Sequence, residues 1–419
     1  MTTVSLDYKR YLPAFAAFLS AGALATCALV VIVDPYGLYG LVHRPGFNAV
    51  KPGLSRYQVQ IKHQHALRLR PRVLILGNSR AEIGFDPAAP AFAAARGAVY
   101  NLAIPGTGLG TSASQLTHLL AAGVQPRTVI LGVEFMDFLE LPSAPGSTVA
   151  ATPAGAPFWQ FDALFSLASV KDALHTLRIQ HDTESTSLSP DGFNPLREYG
   201  AHVRNDGYHK MFAQRAQENA LSFKRKSGAT LAAADFAVLH GLLQQAAANG
   251  AQMTLVIYPY HAQLLAMLDA AGLWPLFEQW KQQLVQEIGA VQSSHPGAAI
   301  ALYDFSGFGP YNCERIPAAA ERHLATRWYW EAGHFKKALG DIVLARVLSQ
   351  SGDAPSFGMR LDSTALAANR ARIAAERRDC AATQPALFLS VTNMFGPPAK
   401  AVADGKTHLT GPQKTREER

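Results

Sequence analysis

Three polar residues of the chain have the types that nucleophilic acyl transfer requires. Ser79 stands between an apolar run and a helical pattern, a position that presents a serine hydroxyl at the edge of a sheet. Glu331 and His334 lie three residues apart in a predicted loop, so the carboxylate could orient the imidazole as a general base for the serine. Taken singly, Ser79 also fits a helix N-cap, and E-x-x-H also occurs without function. The pair is not the H-E-x-x-H of zinc proteases, and we predict no metal ion.

A glycine after the second apolar run could complete such a site. The run continues into NLAIPG (residues 101–106), and Gly106 can present its backbone N–H to an oxyanion without steric obstruction. The simpler alternative is a glycine that only permits a turn.

Five short apolar runs are predicted to be the buried strands that position these residues. Their hydrophobicity is continuous rather than alternating, which is typical of a parallel sheet covered on both faces. Helical patterns separate them, so we predict an α/β fold: a three-layer, doubly wound, parallel five-stranded sheet of the flavodoxin-like kind. The site should then lie beyond the carboxyl ends of the strands. The predicted strands are residues 73–77, 99–104, 128–133, 253–258 and 299–304, and the predicted helices are 90–96, 111–122, 231–248, 261–271, 275–291 and 336–348.

Residues 12–33 form an uncharged, mostly apolar stretch that is long enough to cross a bilayer as a helix. Lys9 and Arg10 precede it, so the N-terminus (residues 1–11) is predicted to stay in the cytoplasm. A cleaved signal peptide is the alternative, but its apolar core should be shorter. A lipoprotein signal at residues 24–27 is disfavoured because more apolar sequence follows it. We therefore predict a single-pass protein of a bacterial inner membrane with its main domain in the periplasm.

The composition supports a large folded core. The 419 residues are 48% hydrophobic and 16% charged, which excludes a disordered protein, and three cysteines exclude a disulfide-stapled miniprotein or a Cys-rich zinc module. The formal charge of +7 is not organised into a basic patch with interleaved aromatics, so no nucleic-acid partner is predicted. Outside the apolar stretch lie Cys313 and Cys380. An oxidising compartment would permit a bond between them, and two free thiols are the alternative.

The remaining sequence divides at shifts of composition. Residues 34–352 are predicted to form the periplasmic domain, with an insertion at 141–230 after the third strand that is mostly helix and loop. This insertion is either a lid or platform over the site, or a separate small subdomain. Residues 353–396 are predicted to be a C-terminal helical extension, and the polar tail 397–419 to be disordered.

The serine, the glycine and the Glu–His pair, in this order along the predicted sheet, resemble the SGNH/GDSL hydrolase superfamily. The likeness is greatest to its membrane-anchored, SGNH-like proteins of cell-envelope and exopolysaccharide acetylation, and it runs from about residue 73 to 348, interrupted by the insertion. The segments that carry it are VDPYGLYG (33–40), LILGNSRAEIGFDP (74–87), VILGVEFMDF (129–138), YDFSGFGPYNCERIP (303–317) and YWEAGHFKKALGD (329–341).

This resemblance implies a mechanism and partners. Ser79 is implied as nucleophile, His334 as base and Glu331 as orienting acid, with the N–H groups of Ser79 and Gly106 holding the oxyanion. The implied substrate is an ester-linked acyl group, chiefly acetyl, of a secreted or envelope polysaccharide. A membrane-bound O-acyltransferase is the implied partner, and no cofactor is needed. The alternatives are a plain periplasmic carbohydrate esterase, and a non-catalytic polysaccharide-binding or scaffold protein on a decayed fold of this kind.

Two positions depart from the family pattern. After the third strand the family has an oxyanion-hole asparagine, whereas this chain has Glu134, which cannot donate a hydrogen bond while ionised. Asn78 or Arg80 could compensate, or backbone N–H groups could serve alone; losing one donor typically costs about 100- to 1000-fold in turnover. Glu134 itself is a candidate substrate contact. Glu331 stands where the family has aspartate, a change that other serine hydrolases tolerate.

Further candidates flank these residues. His261 follows the fourth strand and could contact substrate or simply begin a helix, and Asp137 could replace the missing polar group after the third strand. Arg80 could hold a carboxylate or an oxyanion, or form a surface salt bridge. Asp304 could orient the histidine instead of Glu331. The aromatic residues 328–330 could stack on a sugar or pack in the core.

Overall fold

The computed structural model describes residues 8–54, 56–141, 158–348 and 356–396, and within them the chain is a mixed α/β protein with a parallel-rich sheet. The strands are β1 Lys51–Pro52, β2 Val73–Leu76, β3 Val99–Asn101, β4 Thr128–Val133, β5 Leu139–Glu140, β6 Ser187–Leu188, β7 Thr230–Leu231, β8 Gln252–Ile257, β9 Ile300–Asp304, β10 Tyr329–Glu331, β11 His334–Phe335 and β12 Met359–Leu361. The main sheet has the order β3-β2-β4-β8-β9-β12. Its first five strands are parallel, and β12 is antiparallel to β9.

The helices are α1 Tyr8–Val33, α2 Gln58–Leu69, α3 Ser79–Gly84, α4 Leu109–Ala121, α5 Trp159–Leu164, α6 Leu167–Arg178, α7 Tyr199–Lys226, α8 Ala233–Ala248, α9 Ala262–Ala270, α10 Trp274–Ser294, α11 Lys337–Leu348, α12 Leu366–Thr383 and α13 Pro385–Phe395. Short 3₁₀ turns lie at Pro90–Phe92, Phe135–Phe138 and Ile179–His181. The helix α7 breaks at Gly207, whose φ of 74° is outside the helical region.

All five predicted parallel strands are present, but the sheet has six strands rather than five. The additional strand, β12, pairs Met359 with Asp304 and Leu361 with Leu302 at the free edge of β9. Its three residues lack the continuous apolar run of a central strand, because only Leu361 is buried. The helix predicted at 90–96 is also wrong: only the 3₁₀ turn Pro90–Phe92 forms before the chain enters β3.

The strand order explains where the carboxyl ends converge. β2 lies between β3 and β4, and β2 and β4 pair in register from Val73–Thr128 to Leu76–Leu131. The chain leads from β2 to β3 on one side and from β4 towards β8 on the other, which creates between β2 and β4 the crevice where ligands bind in open α/β sheets. The residues that follow β2, β3 and β4 meet at this crevice.

The helix α1 contains the apolar stretch predicted at 12–33. Its segment Tyr11–Val33 is, among the described residues, the one helix long and apolar enough to cross a membrane, and only 11% of its most apolar window is buried. At about 1.5 Å per residue it spans about 34 Å, against a hydrocarbon core of about 30 Å. Hydrogen bonds from the segment that follows fix its carboxyl end: Asn48 Nδ2 donates to Val33 O at 3.1 Å, and Lys51 Nζ donates to Asp34 O at 2.7 Å.

The described part of the insertion after β4 contacts both α1 and the sheet. Ala173 of α6 packs in one cluster with Val30 and Val33 of α1. At the sheet edge, Asn101 N donates to Asp191 O at 2.8 Å. The α7 helix packs against α9, α13 and β10. The insertion thus runs from the carboxyl end of α1 to the crevice side of the sheet.

The C-terminal extension folds back on the sheet. The helices α12 and α13 are present where the extension was predicted, and a disulfide joins Cys313 to Cys380 with a Cα–Cα distance of 5.9 Å. The bond expected as one alternative is therefore confirmed. The predictions for residues 1–7, for the boundary at 352 and for the tail 397–419 lie outside the described residues, as do residues 142–157 of the insertion.

Candidate active site

Ser79 is the first residue of α3 and stands directly beyond β2, after a sharp turn at Gly77 and Asn78. Gly77 has a φ of 140°, and a Cβ there would lie 2.5 Å from the Tyr258 hydroxyl, so the tight turn requires glycine. Asn78 is the N-cap of α3, and its Oδ1 accepts a hydrogen bond of 3.0 Å from Arg80 N. The cap fixes the direction in which Ser79 leaves the sheet.

His334 approaches Ser79 from a hairpin near the end of the domain. The strands β10 and β11 pair Glu331 with His334 around a two-residue turn, which places both side chains on one side. Ser79 Oγ lies 2.8 Å from His334 Nε2, although 255 residues separate them in the chain. Glu331 Oε1 hydrogen-bonds His334 Nδ1, and Glu331 Oε2 accepts from Gly333 N at 2.8 Å. The structure therefore assembles the predicted Ser–His–Glu chain.

The electrostatics of Glu331 fix the roles of the two imidazole nitrogens. Glu331 is only 1% exposed, and this burial by itself would raise its pKa. The charge of His334 and the hydrogen bonds that His334 and Gly333 N–H donate to the carboxylate outweigh burial and lower the pKa of Glu331 to about 2. Glu331 is therefore ionised at neutral pH and accepts a proton-bearing Nδ1. His334 Nε2 is then free to accept the Ser79 proton, which is the arrangement of a general base.

Fewer contacts fix the groups that could donate hydrogen bonds to an oxyanion. Gly106 is exposed, has a φ of 70°, and has no heavy atom of the described residues within 4 Å of the position of a Cβ. Its N–H belongs to the turn that follows β3, beside the turn that carries Ser79. The side-chain oxygen of Asn78 accepts the hydrogen bond of the cap, and its Nδ2 is the group that could donate to a ligand.

Glu134, which directly follows β4, is engaged on both oxygens. Arg80 Nη1 forms an ion pair with Glu134 Oε2, and Tyr260 OH donates to Oε1 at 3.1 Å. Arg80 Nε also donates to Gly333 O at 2.7 Å. The side chains of Arg80 and Glu134 are only 18% and 7% exposed, so the pair is part of the interior rather than a surface salt bridge. Glu134 acts here as the counterion of Arg80, and its predicted substrate contact has no free oxygen to make it.

Asp137 lies beside the same crevice and is half-buried. With Asn78, Gly108 and Glu134 it lines a small enclosed cavity behind the turn that carries Ser79. Burial, and next the charge of Glu134, raise its pKa from 3.8 to about 8. At neutral pH Asp137 is mostly protonated, so it is able to donate a hydrogen bond as an amide would.

Two predicted candidates are placed elsewhere. His261 has 0% exposure; its Nε2 donates to Glu314 O at 2.8 Å and its Nδ1 accepts from Gln263 N at 3.1 Å. It is the N-cap of α9 rather than a substrate contact, because both ring nitrogens are occupied. Asp304 is also fully buried, 2.9 Å from Lys281 Nζ, and it joins β9 to the C-terminal extension instead of orienting His334.

The aromatic residues 328–330 mainly pack. Tyr329 has 0% exposure, and the Trp328 ring lies 5.1 Å from that of Tyr311. Trp330 is partly exposed and stacks edge-on with Tyr199 of α7, at 5.7 Å between ring centroids.

Several residues at the site had no assignment from the sequence. Arg215 of α7 adds a positive charge near Glu331, and both line a cavity of about 210 Å³ with Tyr199 and His202. Lys62 of α2 is fully buried, and its Nζ donates to Glu82 of α3 at 3.0 Å and to Ala103 O, beyond β3, at 2.7 Å.

No group of three or more His, Cys, Asp or Glu side chains that could hold a metal ion occurs in the part of the chain that the structure describes. Comparison of the chain with protein-family models, with curated proteins and with solved structures finds no match.

Proposed function

We propose that this protein is a membrane-anchored, periplasmic serine acyltransferase or esterase of the SGNH type that acts on O-acyl groups, chiefly acetyl, of a secreted or envelope polysaccharide. The observation that carries the proposal is the continuous hydrogen-bonded chain from Ser79 through His334 to the ionised, buried Glu331. The order of the five parallel strands, with Ser79 beyond the first along the chain and Gly106 beyond the second, supports a doubly wound fold of this type.

In the proposed reaction the acyl group passes through a serine ester. His334 Nε2 takes the proton of Ser79 as Oγ attacks the acyl carbonyl, and the N–H groups of Ser79 and Gly106 stabilise the oxyanion. The protonated His334 gives the proton to the leaving alcohol oxygen as the bond between that oxygen and the acyl carbon breaks. A sugar hydroxyl or water then attacks the acyl-serine and loses its proton to His334. The bond between the acyl carbon and Ser79 Oγ breaks as His334 returns the proton to Oγ, which regenerates Ser79.

Two further donors compensate for the absent asparagine in this proposal. Asp137, kept protonated by burial and by Glu134, is a neutral donor beside the turn of Ser79. Asn78 Nδ2 is the other. Arg80 does not replace the asparagine directly, because its guanidinium is bound to Glu134 and to Gly333 O.

The surroundings of the site favour a sugar acceptor. The cavity beside Glu331 is lined by Tyr199, His202, Arg215 and other polar side chains of α7, which suit hydroxyl groups. The apolar α1 and the Cys313–Cys380 disulfide both support a location outside the cytoplasm, on an inner membrane, where a membrane-bound O-acyltransferase could supply acyl groups.

A non-catalytic polysaccharide-binding protein is the second candidate. It is favoured by Glu134 in place of the asparagine, since loss of one oxyanion donor slows such enzymes by about 100- to 1000-fold. The intact hydrogen-bond chain of Ser79 weighs against it, because a binding protein has no need to keep an ionised carboxylate buried behind a histidine.

The acyl content of the envelope polysaccharide tests the proposal in the source strain. Complementation with the Ser79→Ala or His334→Ala variant should leave acylation at the level of the deletion strain. The exposed Ser114 of α4 provides the matched control, and Ser114→Ala should restore normal acylation. Normal acylation with His334→Ala would refute catalysis. Fast hydrolysis of p-nitrophenyl acetate by the purified protein, unchanged by added polysaccharide, would favour the plain esterase.

A further inference from the structure

The α5–α6 hairpin exposes large apolar side chains that a domain in water should bury. Phe158, Phe161 and Leu167 are 76%, 63% and 87% exposed, and Phe165 between the two helices is 40% exposed. We call these four residues the hairpin tip. The opposite faces of the two helices are packed, with Trp159 and Ala163 in one cluster and Ala173 in another. The exposure of the tip is therefore a property of one face and not of an unfolded segment.

The hairpin lies alongside α1, with its tip toward the middle of that helix. At the carboxyl end of α6, Gln180 accepts a hydrogen bond of 3.1 Å from Val50 N, next to Lys51, which binds Asp34 O at the end of α1. At the other end, Phe165 lines one groove with Ala23 and Thr26 of α1. Thr26 is about 10 Å along the helix axis from Val33. At Phe165 the tip thus reaches back to a depth at which α1 is itself apolar.

The distribution of charged residues along the α5–α6 hairpin agrees with this placement of its tip. In the sequence no charged residue lies between Glu140 and Asp162, the stretch that leads into the hairpin, and Asp162 itself is paired with Arg56 at 3.0 Å. Exposed cations, by contrast, lie further along α6 at Lys171 and Arg178, and at Arg44 in the loop after α1. An apolar end with a basic rim is the pattern of helices that lie in a membrane interface, where the apolar part is buried about 5–10 Å.

We propose that the hairpin tip inserts into the outer leaflet of the bilayer that α1 crosses, so that the domain has two attachments to the membrane. The inference rests on the proposed membrane location of α1. A single span alone would let α1, together with the domain packed against its carboxyl end, tilt in the bilayer. With the tip inserted, α1 and α6 enter the lipid together, and the crevice that holds Ser79 has a fixed height and orientation above the membrane.

Lipid-depth quenching on the full chain tests this insertion. In a Cys27→Ser background that keeps the Cys313–Cys380 bond, an NBD label is placed at Leu167→Cys, at Leu24→Cys in α1 or at Leu221→Cys in α7. All three leucines are exposed, at 87%, 71% and 62%, so the substitutions should not unfold the protein. The labelled chains are reconstituted in phosphatidylcholine–phosphatidylglycerol vesicles with spin label on the acyl chains.

The expected result is that labels at 24 and 167 are quenched by the acyl-chain spin label and shielded from iodide, whereas the label at 221 is quenched by iodide alone. If the label at 167 is quenched by iodide alone, as the label at 221 is, while the label at 24 is still quenched by the spin label, the insertion of the tip is refuted and the membrane location of α1 stands. A label at 167 shielded from both quenchers also overturns the insertion, because protein, such as residues 142–157 or a second copy, then covers the tip. A label at 24 open to iodide refutes the membrane location itself.

Discussion

Arg80 Nε donates a hydrogen bond of 2.7 Å to Gly333 O, joining the residue after Ser79 to the residue before His334. The Ser79–His334 hydrogen bond is thus braced by a second link between the same two segments. Because the other side of the guanidinium binds Glu134, the brace extends to the end of β4. One side chain therefore holds together the ends of two strands and the hairpin that carries the base.

Removal of this brace should cost both stability and turnover. Arg80→Met leaves Glu134 buried without its counterion, which should lower the free energy of unfolding by about 3 kcal/mol. The β10–β11 hairpin would also lose the contact of Arg80 with Gly333 O that helps to position His334. We therefore expect kcat to fall about 10- to 100-fold with a smaller change in KM. Urea unfolding and ester hydrolysis measure the two effects.

Two variants separate the brace from a general effect of losing an arginine. Arg315→Met removes an exposed pair with Glu321 and should leave both stability and activity nearly unchanged. Arg80→Met combined with Glu134→Leu should recover much of the stability without recovering kcat. Full activity of Arg80→Met would contradict the positioning role.

Glu331→Gln should retain the fold but lose most of the turnover. An amide at this position cannot stabilise the imidazolium and can favour the wrong tautomer of His334, so we expect kcat to fall about 1000- to 10,000-fold. Glu331→Asp should recover part of this loss. The matched control is Glu287→Gln, which alters the hydrogen bond of 2.9 Å to His240 Nδ1 on α8. Equal turnover of Glu331→Gln and the unaltered protein would show that Glu331 is not the orienting acid.

The raised pKa of Asp137 predicts a pH dependence of stability. Folded Asp137 holds its proton up to about pH 8 whereas the unfolded chain loses it near pH 3.8, so between these values the native state binds more protons and stability falls as pH rises. In Asp137→Asn this contribution is absent. The stability of the variant relative to the unaltered protein should therefore increase from pH 4 to pH 8 and then level off.

Urea midpoints across that pH range measure the effect. Asp362→Asn is the control, because hydrogen bonds from Thr364 and Ala365 lower the pKa of Asp362 below its ordinary value. Its contribution to stability is complete once the pH is well above that ordinary value, so its stability difference from the unaltered protein should be constant across neutral pH. A flat difference for Asp137→Asn as well would mean that Asp137 is ionised at neutral pH and cannot donate to an oxyanion.

The sequence was sufficient to predict the parallel strands and that Ser79, Glu331 and His334 lie together. Continuous apolar runs identify strands buried on both faces, and residues beyond such strands meet at one edge whatever their separation in the chain. The strand β12 escaped detection because an edge strand of three residues needs no such run. His261 follows a strand as Ser79 does, but the sequence cannot tell a side chain that enters the crevice from one that turns back to cap its helix.

The Arg80–Glu134 pair shows what register adds to sequence. The two residues are far apart in the chain, yet Leu76 pairs with Leu131, so each stands a few residues beyond its paired strand end. Placing the first and third strands as neighbours would have brought the opposite charges together. The sequence holds no such indication that Arg215 lies near Glu331. Arg215 is on α7, which begins about 70 residues after β4, and the position of α7 against the β10–β11 hairpin depends on tertiary packing rather than on strand pairing.

Covalent labelling by a fluorophosphonate probe tests the central claim most directly. The probe reacts with a serine only where a base activates it and an oxyanion site accepts the phosphoryl oxygen. We predict that peptide mapping of the labelled protein finds the adduct on Ser79, that Ser114→Ala is labelled normally, and that His334→Ala is labelled far more slowly. An unlabelled, folded protein, or an adduct that persists in Ser79→Ala, would contradict the account.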